Sequence, residues 1–425
     1  MKAPPRHTKF DSTVEFMKKP YHFISTVCKE HQSQAVTVRL ALRKTYVITG
    51  PNAVRFFYSG ENFKRKNAMP HPLRATLLGK GGVQGLDGAE HLKRKDLFMS
   101  FTKPQEILRL SRIVDAQFAT GLAKWSTQDN VPLYPELVCL LAVSACSWLG
   151  IHLQTDEKEI RAEQLRSMYQ DASVIGLRHF KSRQSRRETE RWIGNLIHDI
   201  RRGKLNVSDT SPIHRIAFFR DEDGELLSEK IASVEALNLL RPIVAVSTFM
   251  IFAMHALSYY PEMAKDVALD LKFRDHFIQE VRRYYPFFPA VAAITKCNLD
   301  WMGVHIPENS RVLLDIYGIN HHPELWDNPN EFNPNRFNGK TWENLPDFIP
   351  QGGGNWRSGH RCPGEFITIQ LMSVALDYFT RRMDFKLNLE NPNLAFPLMP
   401  PLPISEVVLR DVKPRSPSSI QIYPV

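Results

Sequence analysis

The segment that decides the fold is 348-FIPQGGGNWRSGHRCPGEF-366, in which a single cysteine, Cys362, follows a glycine-rich loop. An apolar run with helical spacing follows directly and predicts a helix over 367–379. Pro363 suits the first position of that helix, because the N–H group of this position has no helical partner anyway. We therefore expect Cys362 at a helix N-terminus, where the free N–H groups and the helix dipole stabilise a thiolate.

The neighbours of Cys362 suit a large, planar and anionic ligand. Gly364 lets the backbone approach a planar group closely, because it has no Cβ. His360 and Arg361 add positive charge, which suits a cofactor with carboxylates, such as haem with its propionates. The alternative is an inert buried cysteine before a capped helix, and for this segment alone that outcome is the commoner one.

Composition and charge narrow the class of protein. Over 425 residues, 43% are hydrophobic and 24% charged, as in globular proteins. Five cysteines without a Cys-x-x-Cys pair argue against a disulfide framework and a zinc ribbon, and they favour a reducing compartment. The net charge of +10 includes basic runs at 64–66 and 183–187, which are expected on the solvated surface, because no nucleic-acid-binding motif accompanies them.

Membrane signals are weak. The polar N-terminus lacks the apolar stretch of a signal peptide. The apolar run at 242–257 is shorter than the roughly 20 residues that span a bilayer. We therefore expect a cytoplasmic protein with no transmembrane segment and no nucleic-acid partner.

Helical periodicity dominates the chain. The predicted helices are 106–125, 137–149, 185–202, 227–258 and 272–285. Strand patterns are fewer, with a hairpin-like pair in 36–47 and alternation through 294–315. The segment 320–359 has no regular period, and loops of this length are usually functional or held by distant contacts. Without a dividing linker, we predict one mainly α domain over 1–412 with a small β region, and a C-terminal tail over 413–425.

Three further motifs carry charge in patterns that are weak when taken singly. Glu280 and Arg283 lie at i, i+3 on a predicted helix. Arg336 belongs to a Pro-x-Arg-Phe sequence downstream of the strand region. His91 and Lys95 lie at i, i+4 and would offer two donors to an anionic cofactor. For each motif by itself, charged side chains on the solvent-exposed surface are the commoner explanation.

Together, the order Glu-x-x-Arg, Pro-x-Arg-Phe and a Gly-rich loop ending in Cys-x-Gly resembles the cytochrome P450 superfamily over roughly 91–379. The resemblance implies a triangular, mainly α haem-thiolate fold that binds haem b, iron protoporphyrin IX. It makes Cys362 the axial iron ligand. It also implies that Glu280, Arg283 and Arg336 form a structural triad. The implied contacts of the haem propionates are His91, Lys95 and His360. One departure is an insertion in the loop, because Phe348 lies fourteen residues before Cys362 (362 − 348).

This insertion, together with 79–91 and 280–289, is similar to the bacterial fatty-acid peroxygenase branch of that superfamily. Ordinary members carry a carboxylate beside a threonine on the distal helix to deliver protons to bound dioxygen. Here no carboxylate stands between Arg241 and Thr248. Ser247 and Thr248 would still supply half of the usual pair, so the absence is suggestive.

Arg241 precedes a strongly apolar stretch, 243–254, that must be buried. An unpaired buried charge costs several kcal/mol, so the guanidinium needs an anionic partner, and its planar fork suits a carboxylate. Pro242 lacks an N–H group and leaves the carbonyl of Asn238 free, which predicts a kink that aims Arg241 into a cavity. The alternatives are extension to the surface or pairing with an internal acid such as Glu235.

The resemblance implies an oxidoreductase that uses hydrogen peroxide directly and hydroxylates long-chain fatty acids at the α or β carbon. The substrate carboxylate, bound by Arg241, would act as the acid–base group, and no redox partner would be needed. Phe287, Phe288 and Val291 would line the pocket near the reacting carbons, although core packing explains the two phenylalanines almost as well. Gln84 matches a position where decarboxylating members carry histidine, which favours hydroxylation because an amide cannot relay protons as imidazole does.

Other functions remain open at this stage. The chain would also suit a decarboxylase that forms terminal alkenes, or a conventional monooxygenase that needs a redox partner. A haem-thiolate sensor without turnover explains Cys362 but leaves Arg241 without a purpose.

Overall fold

A computed structural model describes residues 3–59 and 62–415 and is dominated by helices. The α-helices in these ranges are α1 (Thr13–Lys18), α2 (Phe23–Glu30), α3 (Ala53–Tyr58), α4 (His71–Leu77), α5 (Gly88–Ser100), α6 (Pro104–Trp125), α7 (Leu133–Leu149), α8 (Lys158–Gln170), α9 (Leu177–Arg201), α10 (Pro212–Ala217), α11 (Glu229–Tyr259), α12 (Met263–Leu269), α13 (Leu271–Tyr284), α14 (Ile316–Asn320) and α15 (Glu365–Asp377).

The strands form three small sheets beside the helices. Their bounds are β1 (Ala35–Leu40), β2 (Arg43–Ile48), β3 (Phe63–Lys64), β4 (Val131–Pro132), β5 (Ala290–Thr295), β6 (Leu299–Trp301), β7 (Val304–Ile306), β8 (Arg311–Asp315), β9 (Met383–Asn388) and β10 (Val408–Pro414). The strand orders are β1-β2-β8-β5-β3, β4-β10-β9 and β6-β7. The predicted mainly α fold with a small β region is thus confirmed.

The periodic segments of the sequence became the long helices. The five predicted helices correspond to α6, α7, α9, α11 and α13. Their ends differ by at most four residues, except that α9 begins eight residues before its predicted start (185 − 177). The predicted hairpin is the antiparallel pair β1–β2, in which Val36 lies opposite Val47. Side chains that alternate along 294–315 belong to β5 to β8, where β5 and β8 pair in antiparallel register.

Helix α11 forms the centre of the core and packs against α7, α8, α9 and α15. Within the described ranges it is the one helix long and apolar enough to cross a bilayer, but 94% of its apolar window is buried inside the protein. Burial on all sides explains why it is apolar all round, as expected for a core helix. Pro242 lies within it.

The long irregular segment 320–359 is held by contacts that the local sequence does not display. Four aromatic side chains pack into one cluster, namely Trp326, Phe337, Trp342 and Phe348. Arg283 donates to the backbone carbonyls of Asn320, Pro329 and Glu331. Because a guanidinium has five donors, one buried side chain ties several loop carbonyls at once.

Glu280, Arg283 and Arg336 meet as the resemblance implied. Arg283 Nε lies 2.7 Å from Glu280, and Arg336 Nε lies 3.0 Å from the same carboxylate. Glu280 and Arg283 are fully buried on α13, and Arg336 reaches them from the loop. The buried charges are therefore compensated, as buried ion pairs must be to persist.

The structure corrects the expected position of one basic side chain and covers only part of the predicted C-terminal tail. Arg186, in the basic run 183–187, is not on the surface but fully buried in α9. Its guanidinium bonds to Glu190 and lies 3.4 Å from the carbonyls of Leu77 and Leu78, which replace the water it gave up. In the predicted tail, β10 extends to Pro414, and 416–425 lie outside the described residues. The single domain stays a prediction.

Candidate active site

A cavity of about 260 Å³ lies between α5, α11, the glycine-rich loop and the start of α15. Most of the predicted site residues line it. They are Gln84, His91, Lys95, Arg241, Pro242, Phe287, Phe288, His360, Arg361, Cys362 and Gly364. Val291 is an exception, because it lies on β5 and packs against the sheet core instead. The prediction that Val291 lines the pocket was wrong.

Cys362 is held in a defined position beside the cavity. Its N–H group donates to the carbonyl of Gln351 at 3.2 Å, and its Sγ accepts from the N–H group of Gly364. Burial raises the pKa of the thiol, Glu365 adds to the rise, and the Gly364 N–H, Lys95 and Arg282 oppose it. The sulfur therefore faces donors and cations that stabilise a thiolate when a positive metal ion binds it.

Pro363 does not open the helix, contrary to the sequence-based prediction. Helix α15 begins at Glu365, with Gly364 as its N-cap and Pro363 in the preceding turn. The Gly364 carbonyl accepts the first helical bond, from Thr368, while its N–H turns back to the sulfur. Bonding that N–H to Cys362 requires the turn, so the helix starts two residues later.

Arg361 has a carboxylate partner within the protein. Its Nε donates to Glu365 Oε2 at 2.6 Å, and Arg282 Nη2 lies 2.5 Å from the other oxygen of that fully buried carboxylate. The guanidinium charge of Arg361, which the sequence analysis assigned to a cofactor, is therefore paired with the carboxylate of Glu365. The backbone carbonyl of Arg361 accepts from Lys95 Nζ at 2.5 Å, which holds the middle of α5 next to the cysteine loop.

His91, Lys95 and His360 form a basic wall of the cavity, in which His91 and Lys95 are buried and His360 is half-buried. The rings of His91 and His360 stack with their centroids 3.9 Å apart. Burial, followed by His360 and Lys95, lowers the pKa of His91 to about 3, and burial lowers the pKa of Lys95 to about 8. Among the described residues Lys95 has no carboxylate within ion-pair distance. A buried ammonium without an anion fits a ligand that carries carboxylates.

Arg241 is buried on the cavity side of α11, and no acid of the described ranges pairs with it. Only 5% of it is exposed, and its Nε has no hydrogen-bond partner within 3–59 and 62–415. Burial, followed by repulsion from Arg186, lowers its pKa to about 9. Glu235, the candidate partner, instead accepts from Arg94 at 2.7 Å. Neither extension to the surface nor pairing with Glu235 is therefore what the structure shows, and the guanidinium faces the cavity.

Ser247 and Thr248 do not reach the cavity. Both are fully buried, and Ser247 Oγ bonds to the carbonyl of Val244 and lies 3.2 Å from the hydroxyl of Tyr169. Ala245 and Val246 line the cavity at this level of the helix. No Asp or Glu occurs among the described lining residues. Among the described residues the walls thus carry three cationic side chains, Arg241, Lys95 and Arg361, but no carboxylate.

Aromatic and aliphatic side chains form the rest of the wall. Phe287 stacks on Phe249 with ring centroids 4.5 Å apart, and Phe288 contacts Phe287 edge-on. Leu78 and Val246 also line the cavity. These surfaces suit an alkyl chain, because burying each CH₂ group contributes about 0.8 kcal/mol.

Gln84 and a residue that the sequence did not single out meet at the cavity wall. Gln84 lies in a 3₁₀ turn, Val83–Gly85, and its Oε1 accepts from Asn238 Nδ2 at 3.1 Å. The only sequence signal for Asn238 was its position four residues before Pro242. Gln351, Phe249 and Leu78 also line the site, and no sequence pattern distinguished them from core or loop residues.

Comparisons with known proteins agree on the family. A family model described as Cytochrome P450 matches residues 263–407. Pentalenene oxygenase of Streptomyces avermitilis is 22% identical over 353 residues, which are 76% of this chain and 78% of that protein.

Solved structures are more similar over the whole length. Cytochrome P450SP alpha (CYP152B1), in complex with (R)-ibuprofen, is 37% identical with a TM-score of 0.92, covering 95% of this chain and 99% of that one. Cytochrome P450EX alpha (CYP152N1), with myristic acid, is 33% identical with a TM-score of 0.94, covering 98% and 100%. Ligand-free cytochrome P450 OleT is 27% identical with a TM-score of 0.93, covering 97% and 99%.

Proposed function

The chain belongs to the cytochrome P450 family, as an oxidoreductase of the fatty-acid peroxygenase type, and on that premise we propose that it uses hydrogen peroxide to hydroxylate long-chain fatty acids at the α or β carbon. One observation carries the proposal. The guanidinium of Arg241 is buried without an internal acid, in the same cavity as Cys362 and with no Asp or Glu among the described lining residues. Such a site needs an anionic ligand and obtains its carboxylate from that ligand.

The residues of the cavity fit haem b. Cys362 would ligate the iron through its thiolate, and His91, Lys95 and His360 would hold the propionates. The buried, unpaired ammonium of Lys95 favours this assignment. When bound, the haem supplies the chemistry that transfers an oxygen atom from peroxide to a C–H bond.

Arg241 would bind the carboxylate of the fatty acid through charge-assisted hydrogen bonds. The bound carboxylate then takes the place of the acid–base group that ordinary family members carry on this helix. It can accept a proton from peroxide and return it, because it is held ionised beside a fixed cation. Arg241 therefore both orients the substrate and maintains the charge state of its reactive group.

Anchoring at one end also accounts for the position of hydroxylation. A carboxylate fixed at Arg241 would leave only the first carbons of the chain within reach of the haem, because positioning limits which C–H bonds can react. Phe287, Phe288 and Phe249 would pack against the chain and exclude water. P450EX alpha, whose structure contains myristic acid, supports a substrate of this class.

We also propose that the enzyme works in the cytoplasm without a redox partner. All five cysteines are free, as expected in a reducing compartment. Direct use of peroxide requires no electron donor, so no partner surface is needed for turnover.

Turnover of the purified, haem-loaded protein tests the proposal. Myristic acid and hydrogen peroxide, without reductase, should give 2- or 3-hydroxymyristic acid, whereas 1-tetradecanol, the matched chain without a carboxylate, should give no product. Product that forms only with a reductase and NADPH would identify a conventional monooxygenase. Terminal alkene as the main product would identify a decarboxylase, and binding without any product would identify a sensor.

A further inference from the structure

We infer that Glu235 and Asn238 are positioning residues that turn the amide N–H group of Gln84 towards the substrate carboxylate, so that Arg241 and Gln84 bind it together. The inference rests on the proposed function and extends it to residues that do not touch the reacting atoms. It concerns a hydrogen-bond chain from α5 through α11 to the Val83–Gly85 turn.

Glu235 is the fixed point of this chain. It is fully buried, and its Oε1 accepts from Arg94 Nη1 at 2.7 Å and from the backbone N–H of Val83 at 2.9 Å. Its Oε2 accepts from Asn238 Nδ2 at 3.0 Å. One carboxylate therefore holds both the turn that carries Gln84 and the side chain that contacts Gln84.

The orientation of the Asn238 amide follows from its partners. Its Nδ2 donates to Glu235 Oε2 and to Gln84 Oε1, which are both acceptors in this arrangement. Turning the amide over would place Asn238 Oδ1 against the Glu235 carboxylate, which has no proton to donate while it pairs with Arg94. The donor end of Asn238 is thus directed at Gln84.

This arrangement fixes the polarity of Gln84. Its Oε1 is engaged by Asn238, and its Nε2 has no hydrogen-bond partner among the described residues. Gln84 lines the same cavity as Arg241, so we assign its free donor end to the acid that binds there. Asn238 and Arg241 lie at i, i+3 on α11, so they share one face of that helix. Gln84, which bonds to Asn238, and Arg241 therefore present their donor groups on the same side of the cavity.

The close approach of the turn to α11 depends on a glycine. A Cβ at Gly82 would lie 2.6 Å from Asn238 Nδ2 and 3.0 Å from Val234 Cγ1. No larger residue fits there unless the Asn238 side chain moves. The packing of the turn and the hydrogen-bond chain therefore support the same orientation of Gln84.

The test is a double-mutant cycle read by spectral titration of the haem-loaded protein at pH 8. Asn238→Asp replaces the donor by an acceptor, so the Gln84 amide should turn over and present its oxygen to the acid. We expect myristate affinity to fall about tenfold, in line with the loss of one hydrogen bond to a charged group. Gln84→Met should give a similar loss, and adding Asn238→Asp to Gln84→Met should change affinity by less than about twofold.

Two controls separate this effect from simple disruption, and a second variant replaces Asn238→Asp if it does not fold. Affinity for 1-tetradecanol should stay within about threefold in every variant, because a hydroxyl both donates and accepts. Thr248→Val, on the same helix but facing away from the cavity, should leave myristate affinity unchanged. If Asn238→Asp fails to fold, Asn238→Leu serves instead, since it also frees the amide of Gln84 to rotate.

Two outcomes are distinguishable failures. In the first, the wild-type protein binds myristate, but Asn238→Asp lowers the affinity for myristate and for 1-tetradecanol equally, or lowers myristate affinity just as much in the Gln84→Met background. Either result refutes the positioning role and leaves the proposed function standing. If the wild-type protein does not bind myristate, the proposed function fails and the inference fails with it.

Discussion

Replacing Arg241 with methionine should make the ligand-free protein more stable and the fatty-acid complex much weaker. Methionine keeps much of the length and the apolar part of the side chain but removes the charge. Arg241 is buried, its Nε lacks a partner, and the pocket offers no carboxylate from the described residues. The wild-type protein therefore bears the cost of a buried charge until an anion arrives.

The size of that cost follows from the pKa. Burial, followed by repulsion from Arg186, lowers the pKa of Arg241 from the ordinary value of an arginine to about 9. At about 1.36 kcal/mol per pKa unit, this corresponds to roughly 5 kcal/mol as an upper bound, because the side chain also faces an open cavity. Removing an uncompensated buried charge in favour of an apolar group typically stabilises by about 1–4 kcal/mol. We expect about 2 kcal/mol, or a rise in Tm of about 2 °C for a chain of this length.

Thermal unfolding of haem-loaded protein, with and without myristate, measures both effects. Without acid, Arg241→Met should melt above the wild type. With myristate at about 1,000 times the wild-type Kd, the wild type should gain about 4.1 kcal/mol and the variant only about 1.4 kcal/mol, so the wild type should melt higher. Titration should show a loss of acid affinity of about a hundredfold in the variant, from about 3 kcal/mol of charge-assisted hydrogen bonding.

The controls are Thr248→Val, a conservative change on the same helix away from the cavity, and 1-tetradecanol as a ligand without a carboxylate. Thr248→Val should melt like the wild type both with and without myristate. 1-Tetradecanol should not raise the Tm of the wild type above that of Arg241→Met. If Arg241→Met lowers Tm in the absence of acid and keeps full affinity for myristate, the guanidinium is not an unpaired clamp for the substrate.

Three further predictions concern other parts of the fold. Gln84→His should raise the ratio of terminal alkene to hydroxy acid severalfold, measured by gas chromatography, because imidazole can relay a proton; an unchanged ratio would refute this role. Gly79→Ala should lower stability by about 2–3 kcal/mol, seen as a drop in Tm, because φ is +81° there and the new Cβ would overlap Nη2 of Arg186; a neutral change would contradict the tight packing. His321→Gln should lessen acid sensitivity, because burial, followed by Arg283, lowers the pKa of His321 from 6.5 to about 3. The unfolded chain alone takes up this proton below pH 6.5, so wild-type stability falls with falling pH, and the variant should gain about 2 kcal/mol relative to wild type between pH 7 and 5; parallel pH profiles would exclude this.

Local sequence patterns predicted the positions of the long helices and the cysteine loop well. Helices α6 and α13 were predictable from the spacing of their apolar residues, because one face of each helix packs on the core. Cys362 lies in a short motif whose residues are neighbours in the chain, so its surroundings were largely visible in the sequence. The family resemblance then linked distant motifs, such as Glu280 with Arg336, that spacing alone could not join.

Partner choice and helix rotation were not predictable in this way. The sequence offered Glu235 two guanidinium partners, Arg94 and Arg241. Only the tertiary structure shows that Glu235 pairs with Arg94 of α5, at 2.7 Å. Ser247 and Thr248 turned away from the cavity because the rotation of α11 is set by all the helices around it.

The local sequence also did not predict which side chains of charged or apolar runs would be buried, or where. Arg186 belongs to a basic run that is typical of a surface, yet the left-handed turn at Gly79 makes room for its guanidinium inside. Val291 sits close in sequence to Phe287 and Phe288, but the strand that starts at residue 290 directs it to the sheet. In both cases a contact distant in sequence decides the environment.

Isotope labelling tests the central claim most directly. Haem-loaded protein is mixed with myristic acid and ¹⁸O-labelled hydrogen peroxide under unlabelled air, without reductase, and the hydroxy acid is analysed by mass spectrometry. The account predicts 2- or 3-hydroxymyristic acid whose new hydroxyl carries ¹⁸O, and loss of this product in Arg241→Met. A hydroxyl derived from dioxygen, or oxidation far from the carboxyl end, would contradict it.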